Sequence, residues 1–124
     1  MCLPSGLLTL LLGSDFDQCF DSVTLPSHFE TLIFANAYNR SLDNVFLPSG
    51  LQSLTFGWAY NQSVDIVTLP TSLEDLTFGH GFDQGVQKVV CPQSLRTLTF
   101  DYPFNQCMDH ISLPEGLLHT DFWL

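Results

Sequence analysis

Positive charge is nearly absent from this sequence. Arg40, Lys88 and Arg96 are its only Lys or Arg residues, against 13 Asp and Glu, for a net charge of −10. A polyanion of this kind repels phosphate backbones and anionic lipid headgroups, so neither nucleic acid nor a membrane surface is expected as a partner. Long hydrophobic runs are missing as well. The apolar stretch Leu7-Leu8-Thr9-Leu10-Leu11-Leu12 falls far short of the ~20 residues that a spanning helix needs. No Lys or Arg precedes Arg40, so the basic n-region of a secretory signal is lacking, and these leucines are read as a buried first strand. Catalytic signatures are also missing: no P-loop, no G-x-S-x-G elbow and no H-E-x-x-H step occurs. His28, His80, His110 and His119 fall at different phases of the repeat described below, apart from any local nucleophile. The sequence therefore gives no ground to expect an enzyme, and it calls for no cofactor.

What is present is order. Hydrophobic residues make up 45% of the chain, enough to build a core. Pro4, Pro26, Pro48, Pro70, Pro92 and Pro114 follow one another at intervals of 22, and only Pro103 stands outside the column. Other columns keep the same step. Leu10, Leu32, Leu54, Leu76 and Leu98 lie six residues after the prolines, and Leu12, Phe34, Phe56, Phe78, Phe100 and Phe122 lie eight after. An aromatic column follows at Phe16, Tyr38, Tyr60, Phe82 and Phe104, then Asp17, Asn39, Asn61, Asp83 and Asn105, then Gln18, Arg40, Gln62, Gln84 and Gln106. Val23, Val45, Val67, Val89 and Ile111 close each unit.

The alternation in Leu76-Thr77-Phe78 has the period of two that marks a strand, and Val67-Thr68-Leu69 repeats it before Pro70. Gly57, Gly79 and the Asn or Asp column supply turn residues. Each unit thus reads as one coil with two short strands and tight turns. A single coil cannot bury its own apolar edge, so the coils must stack, with parallel ladders ~4.8 Å apart. The expectation is a mainly β solenoid forming one array over residues 1–124, about five and a half units long and part of a longer array. Neither end carries a polar capping unit, so end-to-end self-association is expected of the open strand edges.

The pattern resembles the FNIP repeat family, relatives of the leucine-rich repeats. Phe104-Asn105-Gln106 followed by Leu113-Pro114 and Leu117 carries that likeness most closely. Phe82-Asp83-Gln84, Tyr60-Asn61-Gln62 and Tyr38-Asn39-Arg40, each taken with the Leu-Pro step of its own unit, depart from it slightly. The resemblance implies a leucine-rich-repeat-like solenoid of stacked 22-residue coils with parallel strands. It also implies an interaction module, joined in some members to an F-box or other effector domain.

Stacking converts each column into a physical row, so function is sought in rows. The row ten residues after proline varies most: Ser14, Asn36, Trp58, His80 and Tyr102. Trp58, His80 and Tyr102 would put three rings on successive coils at the strand exit, with Asp75 and Asp101 nearby to favour a basic protein or peptide. A competing class of function uses Thr55, Thr77 and Thr99, with Ser53 and Thr97 beside them, as a hydroxyl grid for ice or a polysaccharide. Leu11 and Ile33 interrupt that row and Asp75 its neighbour. The acidic row Asp21, Asp43, Asp65, Gln87 and Asp109 is read as a solvated turn rather than a calcium site. The sequons Asn39-Arg40-Ser41 and Asn61-Gln62-Ser63 are read as products of turn chemistry.

Four cysteines are present, and coil spacing keeps them apart. Cys19 and Cys107 share a phase but lie four coils from each other, ~19 Å at the parallel-strand spacing, beyond the ~7 Å limit for Cα atoms of a disulfide. Cys2 and Cys91 are similarly distant, and the remaining pairs sit on different sides of their coils. Cys107 and His110 form a C-x-x-H step with no second pair, so no metal site is expected. Free thiols suit a reducing, cytoplasmic setting. Thiol titration of the denatured, unreduced chain should count all four cysteines; a count of two or zero would mean that the coil register is wrong.

Overall fold

The computed structural model describes residues 3–4, 6–13, 16, 24–43, 45–65, 67–86, 88–101, 106, 113–115 and 117, and the backbone of 119–122. One strand from each unit enters a single six-stranded sheet: β1 (Thr9–Leu11), β2 (Thr31–Ile33), β3 (Ser53–Thr55), β4 (Asp75–Phe78), β5 (Thr97–Phe100) and β6 (His119–Phe122). They pair in sequence order, all parallel, and each register step joins residues 22 apart, as in Leu54 with Leu76. The chain is therefore a β-solenoid, and among the described residues it contains no helix.

Three tight turns shape the coils whose residues are described. The proline carbonyl accepts the N–H three residues on, as in Leu51 to Pro48 at 3.1 Å and Leu73 to Pro70 at 3.2 Å. A second turn follows the strand, with Phe82 N–H donating to the Gly79 carbonyl at 3.2 Å. A third joins Val67 N–H to the Val64 carbonyl at 3.2 Å. Where each strand begins, two successive N–H groups converge on one carbonyl of the coil before. Gln52 and Ser53 both donate to Glu30 O, at 2.8 and 3.0 Å, and Glu74 and Asp75 both donate to Gln52 O at the same distances. Two residues thus oppose one, the arrangement of a bulge, and it recurs at every described strand entry from β2 to β5.

The expected second strand does not form. Val67-Thr68-Leu69 is irregular, and the same segment shows only isolated bridges at Thr24 and Val90. The prolines explain this. Every coil places a residue without an N–H immediately after this segment, so a ladder there has no donor with which to continue.

Inside the coils, like stacks on like. Phe34, Phe56, Phe78 and Phe100 form a column with neighbouring ring centroids 5.5, 5.2 and 5.3 Å apart and planes within 8°. Tyr38, Tyr60 and Phe82 make a second column at 6.3 and 6.4 Å. Leu32, Leu54, Leu76 and Leu98 fill the space beside them, all fully or almost fully buried. Each such side chain contributes about 1.5–3 kcal/mol through removal from water. Close approach leaves some positions without room. A Cβ on Gly57 would strike the Ala35 carbonyl, and one on Gly79 would strike the Gly57 carbonyl.

The Asn and Gln columns form a ladder along the outside of the second turn. Asn61 N–H donates to Asn39 Oδ1 at 2.8 Å, and Asp83 N–H donates to Asn61 Oδ1 at 2.9 Å. Gln62, Gln84 and Gln106 each reach back one coil, donating from Nε2 to both the backbone and the side-chain oxygen of the preceding ladder residue at 3.0–3.2 Å. Replacing Asn61 with Ala removes the acceptor for Asp83 N–H and one acceptor for Gln84. The Asn61→Ala variant should lose about 0.5–1.5 kcal/mol in chemical denaturation; an unchanged midpoint would show that water satisfies the ladder equally well.

Tyr60 is a local misfit in the aromatic column. Its hydroxyl is buried with no hydrogen-bond partner, where Phe82 manages without one. Burial, with lesser contributions from Tyr38 and the Asp43 carboxylate, pushes its pKa well above the ordinary value of 10.0. The unfolded chain gives up this proton first, so stability present below pH 10 is lost as pH rises above it. Tyr60→Phe should match or exceed the wild type in Tm at neutral pH and lose less stability between about pH 10 and 12. A Phe variant with a markedly lower Tm at neutral pH would show that the hydroxyl is satisfied.

Candidate functional site

The outward row of the sheet and the turn that follows it enclose a cleft. Ile33, Thr55, Thr77 and Thr99 form its floor, each half-buried, as alternation along a half-covered strand requires. Asn36, Trp58, His80 and Asp101 form its rim, and the cleft has a volume of about 540 Å³. Gly57 and Gly79 lie between floor and rim. Their missing side chains let successive coils approach closely, which sets the rim residues directly above one another.

The rim is held by backbone contacts one coil apart. Ala59 N–H donates to the Asn36 carbonyl at 2.8 Å, and Gly81 N–H donates to the Trp58 carbonyl at 2.7 Å. Asn36 Oδ1 accepts the Trp58 backbone N–H at 3.4 Å. Trp58 and His80 stack with centroids 4.0 Å apart and planes 8° from parallel, closer than the rings of the core. Trp58 nevertheless remains 59% exposed. Asp101 leaves β5 half-buried, its N–H donating to the Phe78 carbonyl at 3.3 Å.

The structure therefore brings Trp58, His80 and Asp101 together. Asp75 lies elsewhere: it opens β4 at the opposite end of the strand, exposed, and accepts a hydrogen bond from the Thr97 hydroxyl. Tyr102 lies outside the described residues. The hydroxyl row and the aromatic row, which the sequence offers as rival surfaces, share one cleft. Ile33 takes the hydroxyl row's place in β2, which leaves Thr55, Thr77 and Thr99 as its described members.

A second cleft escapes sequence reasoning. Val45, Leu47, Pro48, Leu69 and Pro70 line a hollow of about 770 Å³ on the proline side, and Phe46 stands beside it 92% exposed. A signal exists: Phe46 is the aromatic member of a column otherwise filled by Cys2, Thr24, Thr68, Val90 and Ser112.

The remaining candidates are dispersed. Asp43 and Asp65 are exposed and their N–H groups donate to Ser41 and Ser63 hydroxyls, while Asp21, Gln87 and Asp109 lie outside the described residues. Among the described residues no three His, Cys, Asp or Glu side chains converge as metal ligands. Cys91 is a free thiol buried in the core, and burial pushes its pKa up. Cys2, Cys19, Cys107 and His110 lie outside the described residues. No described helix is long and apolar enough to cross a membrane.

Six parallel strands at a 22-residue step, a proline turn before each strand and an amide ladder after it narrow the family. The FNIP repeat profile matches residues 1–36, 38–81 and 82–122. The chain belongs to the FNIP repeat family. This FNIP array is also similar in structure to CroV588, described as a novel circular LRR protein structure, with 33% identity and a TM-score of 0.68. That similarity covers 95% of the array and 21% of CroV588, so the array spans about a fifth of that protein's length. No curated protein matches the sequence. FNIP and leucine-rich-repeat solenoids are typically protein-interaction modules and generally non-catalytic.

Proposed function

We propose that this FNIP array is a non-catalytic module that binds a protein or peptide along the strand-exit cleft, with a preference for basic partners. One observation carries the reading: Trp58 stays 59% exposed on the rim of the cleft, stacked on His80, although the core is already filled by Tyr60 and Phe82 two residues further on. A rigid indole at a surface still has apolar area to bury, and Trp is among the residues that most often anchor an interface. The basic preference rests on Asp101 at the rim and on the net charge of −10, which speeds encounter with a cation-bearing surface.

Stability and binding separate in one experiment. The variant Trp58→Ser should keep its unfolding free energy within about 0.5 kcal/mol, as exposed substitutions do. It should also lose the proteins that the wild-type chain captures and cross-links through the cleft. Ready unfolding of the variant would place the indole in the core, and undiminished capture would place the interface elsewhere.

A further inference from the structure

The hollow on the proline side follows the third turn of the coil. Val45 N–H donates to the Leu42 carbonyl at 3.0 Å, and Val67 N–H to the Val64 carbonyl at 3.2 Å one coil on. Beyond the turn Val45 and Leu47 are half-buried and Phe46 points into water; Val67 and Leu69 are half-buried and Thr68 points into water. No ladder joins the two segments, and the core is left partly uncovered between them. Leu47 and Leu69 stay half-buried, whereas Cys91, at the same phase in the next coil, is buried. The step from the Phe46 ring to the smaller Thr68 on the neighbouring coil leaves a recess beside a ridge. This recess shares no lining residue with the strand-exit cleft.

Charge narrows the occupant. Among the described residues that line the hollow, Asp43 alone is charged. It stands exposed at the corner of the third turn, its N–H held by the Ser41 hydroxyl at 3.1 Å, and Asp65 repeats it one coil on with Ser63 at 3.3 Å. Lys88 stands on the coil after Asp65 and outside the lining. An apolar recess that ends at a carboxylate suits an apolar group with a cation beside it. A second copy suits it poorly, since it would bring a net charge of −10 to another of −10 and Asp43 to the same face as Asp43. A small molecule in the recess would leave the Phe46 ridge in water, whereas a chain segment fills the one and covers the other.

We propose that the hollow seats a segment of a partner protein in which a large apolar side chain adjoins a Lys or Arg, the apolar group packing against Phe46 and the cation meeting Asp43. The site is separate from the strand-exit cleft and does not depend on it. The probes are capped Phe-Leu-Lys and Lys-Leu-Phe, with Phe-Leu-Gln and Gln-Leu-Phe as their uncharged counterparts. They are titrated into the full chain, with Ile, Leu, Val and Thr methyl groups labelled for NMR. A lysine peptide, in one of the two orders, should shift Val45, Leu47 and Leu69 saturably. Its glutamine counterpart should bind about 1.5- to 5-fold more weakly, the range of one exposed ion pair. Asp43→Asn should erase that difference. Phe46→Ser should weaken both peptides by about 10-fold or more, the loss expected of a large apolar contact. Both positions are exposed, so both variants should keep the wild-type unfolding midpoint.

No shift with any peptide overturns the proposal. Shifts centred on Ile33 and Thr77 do the same, because they carry the peptide to the strand-exit cleft. Equal affinity of the lysine and glutamine peptides overturns the role of Asp43, and binding that ignores Phe46→Ser overturns the apolar contact. Sedimentation of the chain at rising concentration tests the rival occupant: self-association that Phe46→Ser abolishes overturns the foreign segment and gives the hollow to a second copy. Capture through the strand-exit cleft is judged separately, by Trp58→Ser.

Discussion

Backbone N–H groups of each coil find carbonyls of the neighbouring coils, and every row of side chains takes its position from that register. At the strand entries the register is doubly fixed, since one carbonyl receives two consecutive N–H groups. A slip of one residue would break both bonds and turn Leu54 and Phe56 out of the core. The aromatic columns depend on the same register. Rings at one phase meet nearly parallel at 5.2–5.5 Å because their backbones are already aligned. The ladder of Asn39, Asn61 and Asp83 then locks the side of the coil that has no strand, with side-chain amides where the sheet would have used backbone.

The cleft inherits its order from this arrangement. Trp58 and His80 stack because Gly57 and Gly79 permit close approach of their coils, and because Asn36 and Trp58 pass hydrogen bonds upward from one turn to the next. The rim is thus rigid backbone bearing exchangeable side chains. That division suits recognition: the row can change from Asn36 to Trp58 to His80 without disturbing the core beneath it.

Much of this is legible in the sequence, for a physical reason. Identical phases must stack, so the proline, leucine and phenylalanine columns reveal the solenoid, its core and the alignment of Trp58 with His80. What stays hidden depends on which atoms meet. The Asn and Gln columns announce turns but not that Gln84 Nε2 reaches back to Asn61. Asp75 and Asp101 both read as neighbours of the Trp58 row in the sequence, yet opposite ends of a strand separate them. Val67-Thr68-Leu69 alternates like a strand and fails to become one because the following proline offers no donor. The shared cleft of threonines and aromatics follows from the strand's exit angle, which no column encodes.

The ring columns and the amide ladder have a mechanical consequence. Along each column the contacts join only neighbouring coils, so tension applied to the chain ends does not load the whole fold at once. It peels the terminal coil, and each coil that yields releases 22 residues, roughly 75 Å of contour length. Extension then proceeds in equal increments, and the array acts as a graduated spring rather than a single brittle body.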